Sequence, residues 1–110
     1  MTNVFIENEV VQWEQMDIGV SRAILAYDIS LMVVKVKFEK DAVGVLHQHP
    51  HVQISYVESG VFEVEVAGEK RILKQGDTFN VASNLWHGVV CIVAGTLIDT
   101  FSPMRQEFIK

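Results

Sequence analysis

The feature that most constrains this chain is a period-two alternation of apolar and polar residues, interrupted at short intervals by turn chemistry. In the run 61–66, Phe62, Val64 and Val66 fall on one face, and Glu63 and Glu65 on the other. In 31–38, Val34, Val36 and Phe38 oppose Lys35 and Lys37. Side chains of a strand point alternately to its two faces, so each run reads as a half-buried strand. The segments 71–73 and 78–81 read as short strands. The segments 51–57, 89–93 and 96–101 read as longer ones, and 10–16 and 19–27 as two more. Turns are expected at Glu58-Ser59-Gly60, Ala67-Gly68-Glu69, Gln75-Gly76-Asp77 and Ala94-Gly95. Pro103 opens a tail that predicts a short helical turn before or at Phe108. Many short strands with turns between them predict an all-β fold, a small antiparallel barrel or sandwich.

At 110 residues the chain is expected to form one domain, 1–110. Such a domain buries roughly two-thirds of its surface and needs no staples. The single cysteine, Cys91, excludes an internal disulfide framework and points to a reducing, cytoplasmic setting. No apolar run approaches the ~20 residues of a transmembrane helix. The first ten residues lack the basic-then-apolar order of a secretory signal. With 9 Lys+Arg against 14 Asp+Glu, the net charge of −5 argues against non-specific nucleic-acid or membrane partners. It leaves room for a small anion held by a local cation in a shielded pocket. Exposed sheet edges predict a homodimer, with the N-terminal strands as the natural contact.

The four histidines are His47, His49, His51 and His87, three of them within five residues. His47, His49 and Gln53 share parity, so on one extended segment they face the same side. His87 opens a second strand and can close the set. An isolated H-x-H is weak, but this clustering points to one divalent transition ion: Ni, Zn, Fe, Mn or Cu. His51 has the same parity, but Pro50 interrupts the alternation. It reads as a residue at the rim or behind the ligands. A neutral Gln53 would leave the ion's double charge uncompensated, which favours Lewis-acid chemistry or anion binding. Cys91 reads as a small buried residue. Trp86, Tyr56 and Trp13 read as structural rather than as sugar platforms.

The stretch Gly44-Val45-Leu46-His47-Gln48-His49-Pro50-His51-Val52-Gln53, with Gly60 seven positions on, resembles the first cupin motif. Gly76-Asp77 and Ala82-Ser83-Asn84-Leu85-Trp86-His87 resemble the second. Ala82 stands where a Pro is common, and Cys91 where an Asn is common. The resemblance covers about 35–101. It implies a jelly-roll β-barrel with His47, His49, Gln53 and His87 as metal ligands. The tail Leu97-Ile98-Asp99-Thr100-Phe101-Ser102-Pro103-Met104-Arg105, followed by Glu107-Phe108, is similar to that of the KdgF type of cupin. So are His87-Gly88-Val89-Val90 and the use of Gln rather than Glu.

That resemblance implies ring opening of 4,5-unsaturated uronate monosaccharides from pectin or alginate breakdown. The substrate, a small anionic sugar, is a cyclic enol ether with an anomeric hydroxyl and a carboxylate. Asp99, facing inward with Leu97 and Phe101, would shuttle protons. Arg105 would grip the carboxylate with its planar fork, and Phe101 would wall the ring. Taken without the resemblance, Asp99 reads as a turn or solvent-facing acid, Arg105 as a surface cation paired to Glu107, and Phe101 as core. Two alternatives belong to other classes: a different metal cupin enzyme (oxygenase or sugar isomerase), and a non-enzymatic ligand-binding module.

Overall fold

A computed structural model describes residues 3–109. Eight antiparallel strands run in chain order: β1 (Trp13–Asp17), β2 (Val20–Asp28), β3 (Leu31–Phe38), β4 (Val43–His47), β5 (Val52–Val66), β6 (Glu69–Lys74), β7 (Thr78–Val81) and β8 (His87–Ser102). Short 3-10 turns at Asn8–Val10 and Gln106–Phe108 flank them. The fold is the all-β barrel that the alternation predicts. β3 and β7 match their expected limits, and the tail holds the expected helical turn.

The sheet order is β1-β2-β3-β8-β5-β6, with β4 added on β8 and β7 on β5. β5 and β8 are its spine, paired from Val52 opposite Ser102 to Val66 opposite His87. β3 lines the last half of β8 and β4 the first. β7 lines the first half of β5 and β6 the second. Each long strand therefore serves both halves of the barrel.

Two expected turns are corrected by this arrangement. Glu58-Ser59-Gly60 and Ala94-Gly95 are not reversals but bends within β5 and β8. The pairing slips between Val57 and Phe62, which is how a continuous strand rounds a barrel corner. Glycine permits the corner. Gly60 has φ +85°, and a Cβ there would lie 2.5 Å from the Val93 carbonyl oxygen and 2.7 Å from Gly95 Cα. Gly60→Ala is expected to cost about 3 kcal/mol or more, combining a left-handed backbone with a backbone clash. Thermal unfolding checks it. A melting temperature equal to wild type would mean that the corner tolerates a side chain.

The apolar faces pack into two clusters. One joins Val20, Phe38, Ala42, Val57, Phe62, Val64, Cys91 and Leu97, with Phe38 and Phe62 edge to face at 5.3 Å. Cys91 is fully buried there, as expected. The other joins Met32, Val34 and Phe101, covered by Met104, Phe108 and Ile109 of the tail. Among the described residues, no helix is long and apolar enough to cross a membrane.

Candidate metal centre

The three candidate histidines converge from three elements. His47 ends β4 and is paired in register with His87, which begins β8. His49 lies in the loop between β4 and β5. That loop is tied down by the Asn84 N–H, which donates to the His49 carbonyl at 2.8 Å. Gln53 is the second residue of β5 and faces inward with Ser55 and Val57. The ligand atoms of His47, His49 and His87 lie within 4.8 Å of one another. His49 and His87 are buried, and His47 is exposed. The expectation of one continuous extended segment through 47–53 is thus corrected. The chain turns between the histidines and Gln53, and the turn rather than strand parity brings them together.

The backbone sets each imidazole. Nδ1 of His47 donates to the Val45 carbonyl at 2.8 Å, that of His49 to the His51 carbonyl at 3.0 Å, and that of His87 to the Leu85 carbonyl at 2.9 Å. A carbonyl oxygen only accepts, so each Nδ1 carries a proton, and in a neutral imidazole that leaves the lone pair on Nε2. Burial pushes the His87 imidazole down to about 4. Burial, then the Arg105 charge, also lowers His49. Both are therefore neutral near pH 7, the state that can donate to a metal.

Gln53 adds oxygen. Its Oε1 lies 3.0 Å from Nε2 of His49 and 3.1 Å from Nε2 of His87. Its Nε2 is occupied elsewhere, donating to Ser55 Oγ at 2.9 Å. The Ser55 hydroxyl in turn donates to Asp99 Oδ1 at 2.7 Å. Lone pairs thus face lone pairs at the centre with no proton between them. A divalent cation resolves that conflict, and nitrogen with neutral oxygen suits a transition ion. The donor set fits a metal.

A cavity of about 190 Å³ adjoins the histidines, lined by His47, Gln53, Asp99, Phe101, Arg105 and Arg22 among others. Asp99 projects into it from β8, directly opposite Ser55. Burial pushes its carboxyl up to about 6, against the Ser55 hydrogen bond and the Arg105 charge, which both lower it. Arg105 comes from the tail. Its Nε donates to Glu107 Oε2 at 2.8 Å, the ion pair expected from sequence. Its guanidinium lies 4.5 Å from the Phe108 ring centre and 5.1 Å from that of Phe101.

A family model described as a cupin domain matches residues 34–98. The chain belongs to the cupin family. Pectin degradation protein KdgF of Dickeya dadantii (strain 3937) is 47% identical over 111 residues, spanning 99% of this chain and 100% of that protein. Among solved structures, an RmlC-like cupin from Shewanella frigidimarina NCIMB 400 superposes with a TM-score of 0.95 at 42% identity, covering 97% of this chain and 96% of that one. KdgF from Halomonas sp. superposes with a TM-score of 0.92 at 43% identity, covering 98% and 100%.

Within this cupin, the structure brings together every residue singled out for the site: His47, His49, Gln53, His87, Asp99, Phe101 and Arg105. The His51 backbone carbonyl accepts from His49 Nδ1. Trp86 and Tyr56 are 54% and 46% exposed and do not line the cavity. Trp13 lies under the Lys37 ammonium, 4.5 Å away.

Three residues have roles that the sequence reading did not assign. Arg22 of β2 lines the cavity, stacks 3.7 Å over Phe108 and pairs with Glu14 at 3.1 Å. Phe108 carries both guanidinium groups, so it anchors the tail that presents Arg105. Ser55 joins Gln53 to Asp99. Its parity with Gln53 was readable, but its partner lies 44 residues away.

Proposed function

We propose that this cupin is a metal-dependent enzyme that linearises 4,5-unsaturated uronate monosaccharides released from pectin, and by the same ring chemistry those from alginate. The observation that carries the reading is one small cavity holding three kinds of group. They are His47 of the converging histidine cluster, with His49 and His87 adjoining, a buried carboxyl raised to about 6, and a guanidinium. The 47% identity to a protein named for pectin degradation supports the substrate class.

His47, His49, Gln53 and His87 would hold the ion. When bound, it supplies a Lewis-acid centre for substrate oxygens. The remaining work falls to the protein's own side chains. The Asp99 carboxylate takes the proton of the anomeric hydroxyl. The C1 carbonyl forms as the bond from C1 to the ring oxygen breaks, and its electron pair stays on that oxygen as an enolate. The same carboxyl returns the proton to C4 of the former alkene, leaving a ketone at C5. Atoms and electrons balance without an oxidant. A carboxyl near pH 6 can both accept and return a proton at neutral pH. Arg105 fixes the substrate carboxylate, and Phe101 bounds the ring. The cavity is smaller than the clefts that take drug-sized ligands, which fits a monosaccharide.

The test is turnover of the alkene chromophore. Metal-loaded protein added to a lyase digest of pectate should speed the loss of ultraviolet absorbance, with no oxygen uptake. An unchanged rate would refute the proposal. Arg105→Ala should raise KM by roughly 10–100-fold, the value of a charge-assisted contact, with a smaller change in kcat. Steady-state kinetics on the monosaccharide checks it. We also propose that the protein is a homodimer through the N-terminal strands, since β1 is an edge of the sheet. Sedimentation as a monomer would refute that.

A further inference from the structure

Ser55 lies on β5 with none of its surface exposed. It shares a strand face with Gln53 and stands opposite Asp99 on β8. Its Oγ accepts from Gln53 Nε2 at 2.9 Å and donates to Asp99 Oδ1 at 2.7 Å. Donor counting gives the chain a direction. A carboxylate only accepts, so the single Ser55 proton goes to Asp99. The Ser55 lone pairs then need an N–H, and the Gln53 amide supplies one. That choice decides which end of the amide faces the imidazoles. With nitrogen committed to Ser55, the carbonyl oxygen lies 3.0 Å and 3.1 Å from the two Nε2 atoms. A flipped amide would instead satisfy the imidazoles with N–H groups and close the centre to a cation.

We propose that Ser55 is a positioning residue for the metal centre, holding the Gln53 carbonyl toward the converging imidazoles by tethering its amide nitrogen to Asp99. This rests on reading His47, His49, Gln53 and His87 as a metal site, and is independent of the uronate chemistry. The protein needs such a tether because a glutamine has only one end that binds a cation. A glutamate at the same place would offer an oxygen either way round.

That asymmetry provides the test. Zinc and nickel affinity of metal-stripped protein is measured by titration against a chelating dye, for Ser55→Ala in the native background and in a Gln53→Glu background. In the native background, Ser55→Ala should weaken binding roughly 10–100-fold, the usual effect of removing a group that orients a ligand. In the Gln53→Glu background the loss should fall well below that range. Equal losses in both backgrounds would mean that Ser55 only supports the packing, and would overturn the inference. So would an unchanged affinity in the native background. Wild-type protein that binds neither ion would overturn the metal site and this inference together. A failed uronate assay with metal binding intact would refute the proposed reaction alone.

Discussion

Replacing Asp99 by Asn is expected to cut kcat by roughly 10²–10⁴-fold, the usual worth of a general acid–base group, while the metal stays bound. The amide keeps an oxygen for the Ser55 hydroxyl, so the tether on Gln53 survives. It cannot take the hydroxyl proton. Metal analysis beside single-turnover kinetics checks both halves. Retained kcat would remove Asp99 from the reaction. In wild type, the acid limb of the rate should rise with pH through about 6 as the carboxyl ionises to act as a base.

The same substitution should stabilise the metal-free protein. Folding raises the Asp99 pKa from 3.8 to about 6, chiefly by burial. The native state therefore binds this proton more tightly than the unfolded chain. The favourable contribution is complete below pH 3.8 and is lost as pH rises through about 6. Two pKa units correspond to on the order of 3 kcal/mol. The stability of Asp99→Asn minus that of wild type should thus grow between about pH 4 and 6 and then level off. Thermal or denaturant unfolding across pH measures it. A difference that shrinks over that window would contradict the sign.

His87→Ala carries the second large effect. His87 is buried, held by the Leu85 carbonyl, paired with His47 across β4 and β8, and in contact with Gln53. In the proposed metal site its loss removes a ligand outright, so metal affinity should fall well beyond the ~10–100-fold that loss of a supporting group costs. Turnover should fall to background with it. Added zinc or nickel should raise the melting temperature of wild type, because a preformed site binds the ions more tightly than the unfolded chain. The variant should show no such rise. A variant that keeps stoichiometric metal would displace His87 from the set.

Local pattern accounts for much of this protein. β3 and β7 follow directly from alternation, and the inward parity of Asp99 and Phe101 was readable within one strand. Corners were not readable. Gly60 and Gly95 carry the composition of turns, yet they bend continuous strands. The difference lies in what crosses them: each glycine's missing Cβ makes room for the other strand's backbone. β4 was missed as well, because its strand character comes from pairing with β8 rather than from alternation. Arg22 carried no signal, since its place beside Phe108 depends on where the tail folds back.

Residue types and their spacing alone determined an all-β chain and a histidine cluster, and the resemblance to cupins named the candidate site residues. Strand periodicity and ligand chemistry are local properties, which is why they survive in one dimension. The tertiary structure decided the rest. It set the tautomer of each imidazole, the direction of the chain from Gln53 through Ser55 to Asp99, and the rise in the Asp99 pKa. Each depends on strand register between residues far apart in sequence, and on burial that exists only once the barrel closes.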